Sequence, residues 1–248
     1  MKNKEINIDA EGVHYRKLNT AVRAALKAGY GKIKIKNVCG QRFIGNSLSG
    51  ANVNIEIEGT PGADMAAFMN GASVTVRGNV QDACGNTMNS GEVAIYGHSG
   101  DILGHSMRGG RIFVRGNVGY RVGIHMKAYK QTSPLIVIGG AAGSFLGEYM
   151  AGGNIIVLGL KDSHPLAGDF TGTGMHGGAI YLRGDIDRRT LGQEVAVSAP
   201  DEGDLKIIKD AVNAFCGHFK FSARKILKKK FIKLYPYSNR PYGKIYAY

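Results

Sequence analysis

Residues that could do chemistry stand in short, glycine-flanked groups along this chain of 248 residues. Ser99 and Ser106 each follow a histidine, in GHSG and GHSM, which pairs a nucleophile with a base as acyl transfer requires. Neither serine fits the G-x-S-x-G nucleophile elbow, because Asp101 and Arg108 occupy the place of its last glycine. A free-standing hydrolase is therefore a minor alternative, which would need a triad assembled in space.

A second group, Gly172–Gly177, reads GTGMHG and formally matches the dinucleotide motif G-x-G-x-x-G. That motif needs a helix after it, so that phosphate meets the helix N-terminus, but the pattern that follows here, AIYLRG, is that of a strand. The histidines contain no H-x-x-x-H pair and do not share one place in the chain's repeat: His98, His105, His125, His164 and His176. No catalytic, cofactor-binding or metal-binding residue is predicted.

The three cysteines, Cys39, Cys84 and Cys216, lie far apart and form neither a CxxC pair nor a zinc spacing. They are predicted to be reduced thiols in a cytoplasmic protein. No run of about 18 apolar residues occurs, so no membrane span is expected, and the charged start, Met1–Asp9, does not resemble a signal peptide.

The element that must position these groups is a short repeat. Seven segments end in glycine, at spacings of 19, 19, 19, 23, 20 and 25 residues: NIEIEG59, TVRG78, AIYG97, FVRG116, IVIG139, IVLG159 and YLRG184. The residues two and four places before each glycine are aliphatic in all seven segments. Alternation with period two indicates a strand with one face inward, and glycines before each strand indicate corners.

A methionine column supports the same register. These residues stand nine places before the terminal glycine, one of them displaced by the insertion KAYKQTSP at 127–134: Met69, Met88, Met107, Met126, Met150 and Met175. A thioether is slender and adaptable, so the column is predicted to be a structural ladder inside a narrow tube.

The repeat predicts an all-β protein, a right-handed parallel β-helix of about seven coils with short α-helical segments before and after it. Residues 1–44 are expected to form an N-terminal cap of strand and helix, residues 45–184 the β-helix, and residues 185–248 a helical, basic extension. Within the caps, Tyr15–Ala28 and Asp204–Cys216 have helical patterns and Lys32–Lys36 that of a strand.

The outward strand positions change character along the repeat. They are polar in the early coils and apolar in the fifth and sixth, at Ile136, Ile138, Ile156 and Leu158. An apolar outer face requires a cover. Two covers are open at this point: the chain's own C-terminal segment, or a partner subunit for which these residues are the candidate surface.

Most of the net charge of +13 resides in the tail, because Leu205–Tyr248 holds 11 Lys/Arg and one Asp, a net charge of +10, while Asn46–Gly184 holds nine of each sign. The neutral body and the absence of Trp disfavour a polysaccharide-processing β-helix. The tail is interpreted as an assembly arm. Nucleic acid is a less favoured partner, and a homo-oligomer is a further alternative.

Several segments resemble one known family. Glu148–Gly159, EYMAGGNIIVLG, resembles the hallmark coil of the GXGXG β-helix domain of the glutamate synthase large subunit, and Cys39–Gly45, CGQRFIG, resembles the entry segment of that domain. The likeness covers about Asn37 to Gly184. The family-motif residues that match are Gln41, Arg42, Glu148, Tyr149, Gly152 and Gly153.

The resemblance implies a stand-alone, non-catalytic assembly subunit of a glutamate synthase-type oxidoreductase, which forms glutamate from glutamine and 2-oxoglutarate. In that family the β-helix spaces the glutaminase and flavin domains. FMN and iron–sulphur clusters are therefore expected on partner subunits, and no cofactor is expected in this chain. The alternative with the same fold is the glycine-rich scaffold protein of formylmethanofuran dehydrogenase.

Overall fold

A computed structural model describes residues 4–160 and 165–238 of the chain. The elements follow in the order β1 (Lys4–Asp9), α1 (Tyr15–Lys27), β2 (Tyr30–Cys39), β3 (Asn54–Thr60), β4 (Asn70–Val76), β5 (Ser90–Ile95), β6 (Arg111–Val114), β7 (Leu135–Ile138), β8 (Ala151–Val157), β9 (Gly177–Leu182), a 3₁₀ turn (Arg188–Thr190), β10 (Val195–Ser198), α2 (Glu202–Phe219), α3 (Ala223–Leu227) and β11 (Ile232–Pro236).

All of these strands belong to one sheet. Strands β1 to β9 pair in parallel in chain order, and β11 and β10 then add antiparallel beyond β9. The prediction of an all-β parallel solenoid of about seven turns with few short helices is confirmed.

Two columns of aliphatic side chains run through the solenoid and form its core. Pairing aligns one residue per strand in each column: Ile33, Ile55, Val74, Val93, Ile112, Ile136, Ile155 and Ile180 in the first, and Ile35, Ile57, Val76, Ile95, Val114, Ile138, Val157 and Leu182 in the second. All are buried. Parallel stacking at about 4.8 Å gives such columns, because each coil places equivalent residues above one another.

The register predicted for the fifth coil is wrong by one residue. Val114 pairs with Ile138 rather than Val137, and the Gly140 amide donates to the Gly116 carbonyl at 2.9 Å. The segment IVIGG has two glycines after the strand, Gly139 and Gly140. Gly140, the second, is the one that lies above Gly116 in the column of glycines at the ends of the strands. Ile136 and Ile138 therefore point into the core, not outward as predicted.

Glycines that face the inward isoleucines across the core explain why the register of the fifth coil is fixed. A Cβ on Gly85, Gly104, Gly123 or Gly147 would lie 2.5–2.6 Å from the Cδ1 atom of an inward isoleucine two strands along. The four isoleucines, in order, are Ile112, Ile136, Ile155 and Ile180. Each glycine therefore leaves the space that one isoleucine methyl fills.

A double-mutant cycle tests this packing. We expect Gly104→Ala to lower the free energy of unfolding by about 2–4 kcal/mol, because it adds an overpacked methyl at a positive φ. We expect Ile136→Val, which removes the facing Cδ1, to restore at least about 0.5 kcal/mol of that loss. Urea unfolding measures both changes.

Ile155→Val is the matched control, because its Cδ1 packs on Gly123 instead. The Gly104→Ala and Ile155→Val costs should add. If the free-energy costs of Gly104→Ala and Ile136→Val also added, the two residues would not be in contact, and this would contradict the inward placement of Ile136.

The apolar outer face is covered by the chain's own C-terminal segment. Ala94, Phe113, Val137, Ile156 and Tyr181 form a second core with side chains from α2 and α3. The central contact of α2 is Phe215, which is fully buried.

The candidate partner surface is corrected accordingly. Ile136 and Ile138 lie inside the solenoid, and Ile156 and Leu158 are buried in this second core. Of the two covers considered, the described structure has the intramolecular one, because α2 carries its apolar residues on the face that meets the sheet.

A buried polar network fastens this cover at its N-terminal end. The Tyr181 hydroxyl donates to Asp204 at 2.7 Å, and Lys233 on β11 lies 2.8 Å from the other Asp204 oxygen. Burial and the Asp204 hydrogen bond raise the pKa of Tyr181. Burial alone would raise the pKa of Asp204, but hydrogen bonds from Lys233 and Tyr181 outweigh it and lower that pKa. Strand β9, helix α2 and strand β11 are thereby joined at one point.

The N-terminal end is closed by α1, which buries Leu18, Val22 and Ala25. Strands β1 and β2 continue the parallel sheet below β3, and β10 and β11 extend it at the other end. The sheet thus runs through all three of the predicted segments, 1–44, 45–184 and 185–248, and that division stays a prediction.

Candidate functional site

The corner that carries the methionine column also presents two columns of outward side chains. All six ladder methionines are fully buried. The residue before each methionine adopts a left-handed conformation, with φ of 51° at Ser106, 55° at His125 and 51° at Tyr149. The residue after each methionine forms the second column, which includes Arg108, Lys127, Ala151 and His176.

Backbone hydrogen bonds between coils hold the first column in place. The Ser106 amide donates to the Ile124 carbonyl at 2.8 Å, the His125 amide to Glu148 at 3.0 Å and the Tyr149 amide to Thr173 at 2.9 Å. These bonds compensate for the left-handed conformation, which costs a non-glycine residue about 1–2 kcal/mol. The outward side chains are therefore set by the coil itself and not by a flexible loop.

Between the two columns lies a cleft of about 340 Å³. It is lined by Ser106, Arg108, His125, Lys127, Tyr149, Ala151 and His176, and we call it the imidazole cleft. The lining contains two permanent cations, two imidazoles and no carboxylate. The ring of Tyr149 stacks on that of His125, with centroids 5.4 Å apart and an interplanar angle of 9°.

A chain of polar contacts lies behind this cleft. The His105 ring lies 6.1 Å from that of His125, and its Nδ1 is 3.2 Å from Asn86 Oδ1. Asn86 in turn donates to Asp64 at 3.1 Å. Burial, together with the neighbouring His125, lowers the pKa of His105, which favours the neutral imidazole.

Ser106 and His105 also test the hydrolase alternative. Ser106 Oγ is 3.4 Å from His105 Nε2, so serine, histidine and Asn86 follow one another as in acyl transfer. The surrounding backbone amides already donate hydrogen bonds and are not available to a substrate oxyanion. The amides of Ser106, Met107 and Arg108 donate to backbone carbonyls at 2.8, 3.1 and 2.9 Å. A backbone oxyanion hole is therefore missing around Ser106 in the described coils.

The family-motif residues of the sixth coil form the edge of this corner. Glu148 is 7% exposed and forms an ion pair with Arg121, whose guanidinium lies 4.4 Å from the Phe145 ring centroid. Tyr149 is the exposed member, at 36%. A Cβ on Gly152 would lie 2.5 Å from the Ala128 amide nitrogen, and one on Gly153 2.7 Å from a Pro134 side-chain carbon, so both glycines are steric requirements of the coil.

The family-motif residues of the entry segment serve the N-terminal cap. Gln41 accepts a hydrogen bond from the Cys39 amide at 2.7 Å and donates to the carbonyls of Ala10 and Val13 at 2.9 and 3.2 Å. Arg42 lies over the ring of Phe43, 5.5 Å from its centroid. Gln41 therefore ties the loop before α1 to the first coil.

The remaining candidates for chemistry are dispersed. Ser99 is buried, and GTGMHG forms a glycine-rich turn that leads into β9 rather than a helix. Cys39, Cys84 and Cys216 are unpaired thiols, and burial raises the pKa of Cys84 to about 12. In residues 4–160 and 165–238 no group of three His, Cys, Asp or Glu side chains could hold a metal ion. His164 lies outside the described residues.

No helix among the described elements combines the length and apolar character needed to cross a bilayer.

The sequence interpretation missed the imidazole cleft because its two imidazoles, His125 and His176, fall in different columns of the repeat. His105 and His125, which are 20 residues apart, are also one residue out of step with the 19-residue coil. They stand on neighbouring coils in adjacent columns, and so contact one another diagonally. Aligning the residues immediately before and after each ladder methionine would have revealed the cleft, since Ser106, His125 and Tyr149 fall in one column and Arg108, Lys127 and His176 in the other.

Comparisons with known proteins agree with this architecture. The family model described as the GXGXG motif matches residues 16–237. An uncharacterized protein of Methanocaldococcus jannaschii is 48% identical, over 98% of this chain and 97% of its own length. A chain in the crystal structure of the formyltransferase/hydrolase complex from Methylorubrum extorquens in complex with methylofuran is similar with a TM-score of 0.64. That likeness covers 91% of this chain and 88% of that chain at 19% identity, so it establishes the shared fold alone.

Proposed function

The chain belongs to the GXGXG motif family, and from that premise we propose that it is a non-catalytic, cytoplasmic scaffold within a complex of several different proteins. The observation that carries this proposal is the coverage of the fold match, 91% of this chain and 88% of the chain in the Methylorubrum extorquens complex. A solenoid of this size, with little added to it, occurs there as one chain among several. The described coils supply a rigid rod, and their polar chain at Ser106 lacks backbone oxyanion donors.

The first candidate complex is of the formylmethanofuran dehydrogenase type, in which this chain would be the glycine-rich scaffold. The fold match to a formyltransferase/hydrolase complex supports this candidate. In a complex of the formylmethanofuran dehydrogenase type, the catalytic metal centre would reside on partner subunits.

The second candidate is a glutamate synthase-type complex, in which the solenoid spaces glutaminase and flavin subunits. The observation that favours it is the placement of the two motif segments. Gln41 fastens the entry to the first coil, and Tyr149, which follows the buried Glu148 in the sequence, lines the imidazole cleft. FMN and iron–sulphur clusters would belong to the partners.

Purification of the tagged chain from its own cells, followed by mass-spectrometric identification of stoichiometric partners, tests the proposal. Molybdenum- or tungsten-enzyme subunits support the first candidate, and glutaminase-like and flavin-binding subunits support the second. Recovery of the chain alone, or only with copies of itself, at native expression contradicts both.

We expect the isolated recombinant chain to be colourless and to form no glutamate from glutamine and 2-oxoglutarate. The physical reason is that the described residues offer neither a metal cluster site nor a helix after the GTGMHG glycines. Absorbance between 350 and 500 nm and a glutamate assay are the measurements. A stoichiometric flavin or iron–sulphur band would contradict a purely structural role.

A further inference from the structure

The imidazole cleft holds two cations that lack the partners found elsewhere on the solenoid. Arg77 pairs with Glu56 at 2.8 Å, Arg111 with Glu92 at 2.7 Å, and Arg121 with Glu148. Within the described ranges, by contrast, neither Arg108 nor Lys127 has a carboxylate oxygen within 4.0 Å. They stand on successive coils, 19 residues apart, so their backbones lie about 4.8 Å from one another. An anion bound between the two side chains would therefore be attracted by both of their like charges.

The imidazoles of the cleft extend this donor set. The Nδ1 of His176 lies 3.1 Å from the Gly174 carbonyl oxygen and donates to it, so Nε2 can donate to an anion in the doubly protonated ring, whereas in the neutral ring it is an acceptor. His125 is held by its stack on Tyr149, so its ring has a fixed plane. Guanidinium, ammonium and imidazole groups around one concavity form the usual binding set for carboxylate and phosphate oxygens.

We propose that the imidazole cleft binds a small oxyanion, a dicarboxylate or a phosphate monoester, with Arg108 and Lys127 as the charged donors. A volume of about 340 Å³ lies at the lower end of the range for small-molecule sites and suits a ligand of this size. The stacked Tyr149 and His125 rings supply a flat wall against the carbon skeleton of the ligand. This site is independent of the scaffold role, because all of its lining residues belong to this chain.

The test uses the full chain in a buffer free of phosphate and carboxylates. Isothermal titration with succinate and with inorganic phosphate measures binding, and a tetra-aspartate peptide distinguishes a free anion from an acidic segment of another protein. Chemical shifts of the His125 and His176 ring protons report independently where the ligand lies.

We expect saturable binding of one small anion per chain, weakened at least tenfold in Arg108→Gln and abolished in the Arg108→Gln/Lys127→Gln double variant. Arg108→Lys, which keeps the charge but loses the planar fork, should give an intermediate loss. The matched control is Lys206→Gln/Lys209→Gln on the exposed side of α2, which removes the same charge and should bind as the unaltered chain does. All substituted side chains are exposed, so unchanged circular dichroism should accompany each variant.

Three outcomes would overturn the proposal. The first is that neither small anion binds saturably. The second is that binding is equally strong in the Arg108→Gln/Lys127→Gln double variant. The third is that only the acidic peptide binds, which would assign the cleft to a protein partner. Failure of anion binding together with recovery of an intact complex would leave the scaffold role standing.

Discussion

A chain in which Met107 is replaced by Asp is expected to be unfolded at room temperature. Met107 is fully buried at the middle of the ladder, and its Sδ lies 3.7 Å from where a Cβ on Gly104 would be. Loss of a buried methionine side chain costs about 2–5 kcal/mol, and a buried unpaired carboxylate costs several kcal/mol more. Together these approach the whole stability of a typical domain, about 5–15 kcal/mol.

Circular dichroism and thermal unfolding measure this effect. Met107→Leu is the matched control, because a hydrophobic swap of similar volume usually costs less than about 1.5 kcal/mol. A folded Met107→Asp chain as stable as the Met107→Leu chain would mean that the methionine ladder contacts water.

Deletion of Leu205–Tyr248 is expected to produce a chain that does not fold alone. The deletion removes most of α2 and all of α3 and β11, and so uncovers Phe113, Ile156 and Tyr181 on the outer face. Each large apolar side chain returned to water costs about 1.5–3 kcal/mol, so exposing these three costs about 4.5–9 kcal/mol, which is comparable with the whole stability of a typical domain, about 5–15 kcal/mol. This expectation reverses the interpretation of the tail as an assembly arm alone.

A point variant gives the graded form of the same prediction. Phe215→Ala should lower the free energy of unfolding by about 3–5 kcal/mol, whereas Phe215→Leu should cost less because it keeps most of the volume. Urea denaturation of both, and light scattering of the truncated chain, are the measurements. A soluble truncated chain with an unchanged melting temperature would contradict the intramolecular cover.

Much of the solenoid could be predicted because its signal is local and repeated. Aliphatic residues at alternate positions and a glycine after each strand specify which residues face inward, and pairing places Ile57, Val76 and Ile95 as predicted. The fifth coil could not be placed, because Gly139 and Gly140 are equally good glycines in a sequence pattern. Contacts between coils distinguish them, among them the fit of the Ile136 methyl against Gly104 and the hydrogen bond from the Gly140 amide to the Gly116 carbonyl.

The cover and the cleft depend on contacts between residues far apart in the chain. The apolar face of α2 and the apolar outer face at Ile156 and Leu158 are both visible in the sequence, but the sequence leaves open whether α2 or a partner subunit covers that outer face. The bond from Tyr181 to Asp204 could not be inferred from either segment alone. The cleft was missed for a different reason: its side chains lie in two columns on adjacent coils, so searches for metal and triad spacings pass over it.

The scaffold role is tested most directly by deleting the gene for this chain in its own cells and measuring the mass of the partner assembly that remains. Once partner subunits have been identified, one of them is tagged and its assembly is measured by native mass spectrometry with and without the gene for this chain. We expect loss of the chain to separate the partners, so that the tagged protein no longer carries the others. A partner assembly that stays intact, lighter only by the 26.5 kDa of this chain, would contradict the scaffold role.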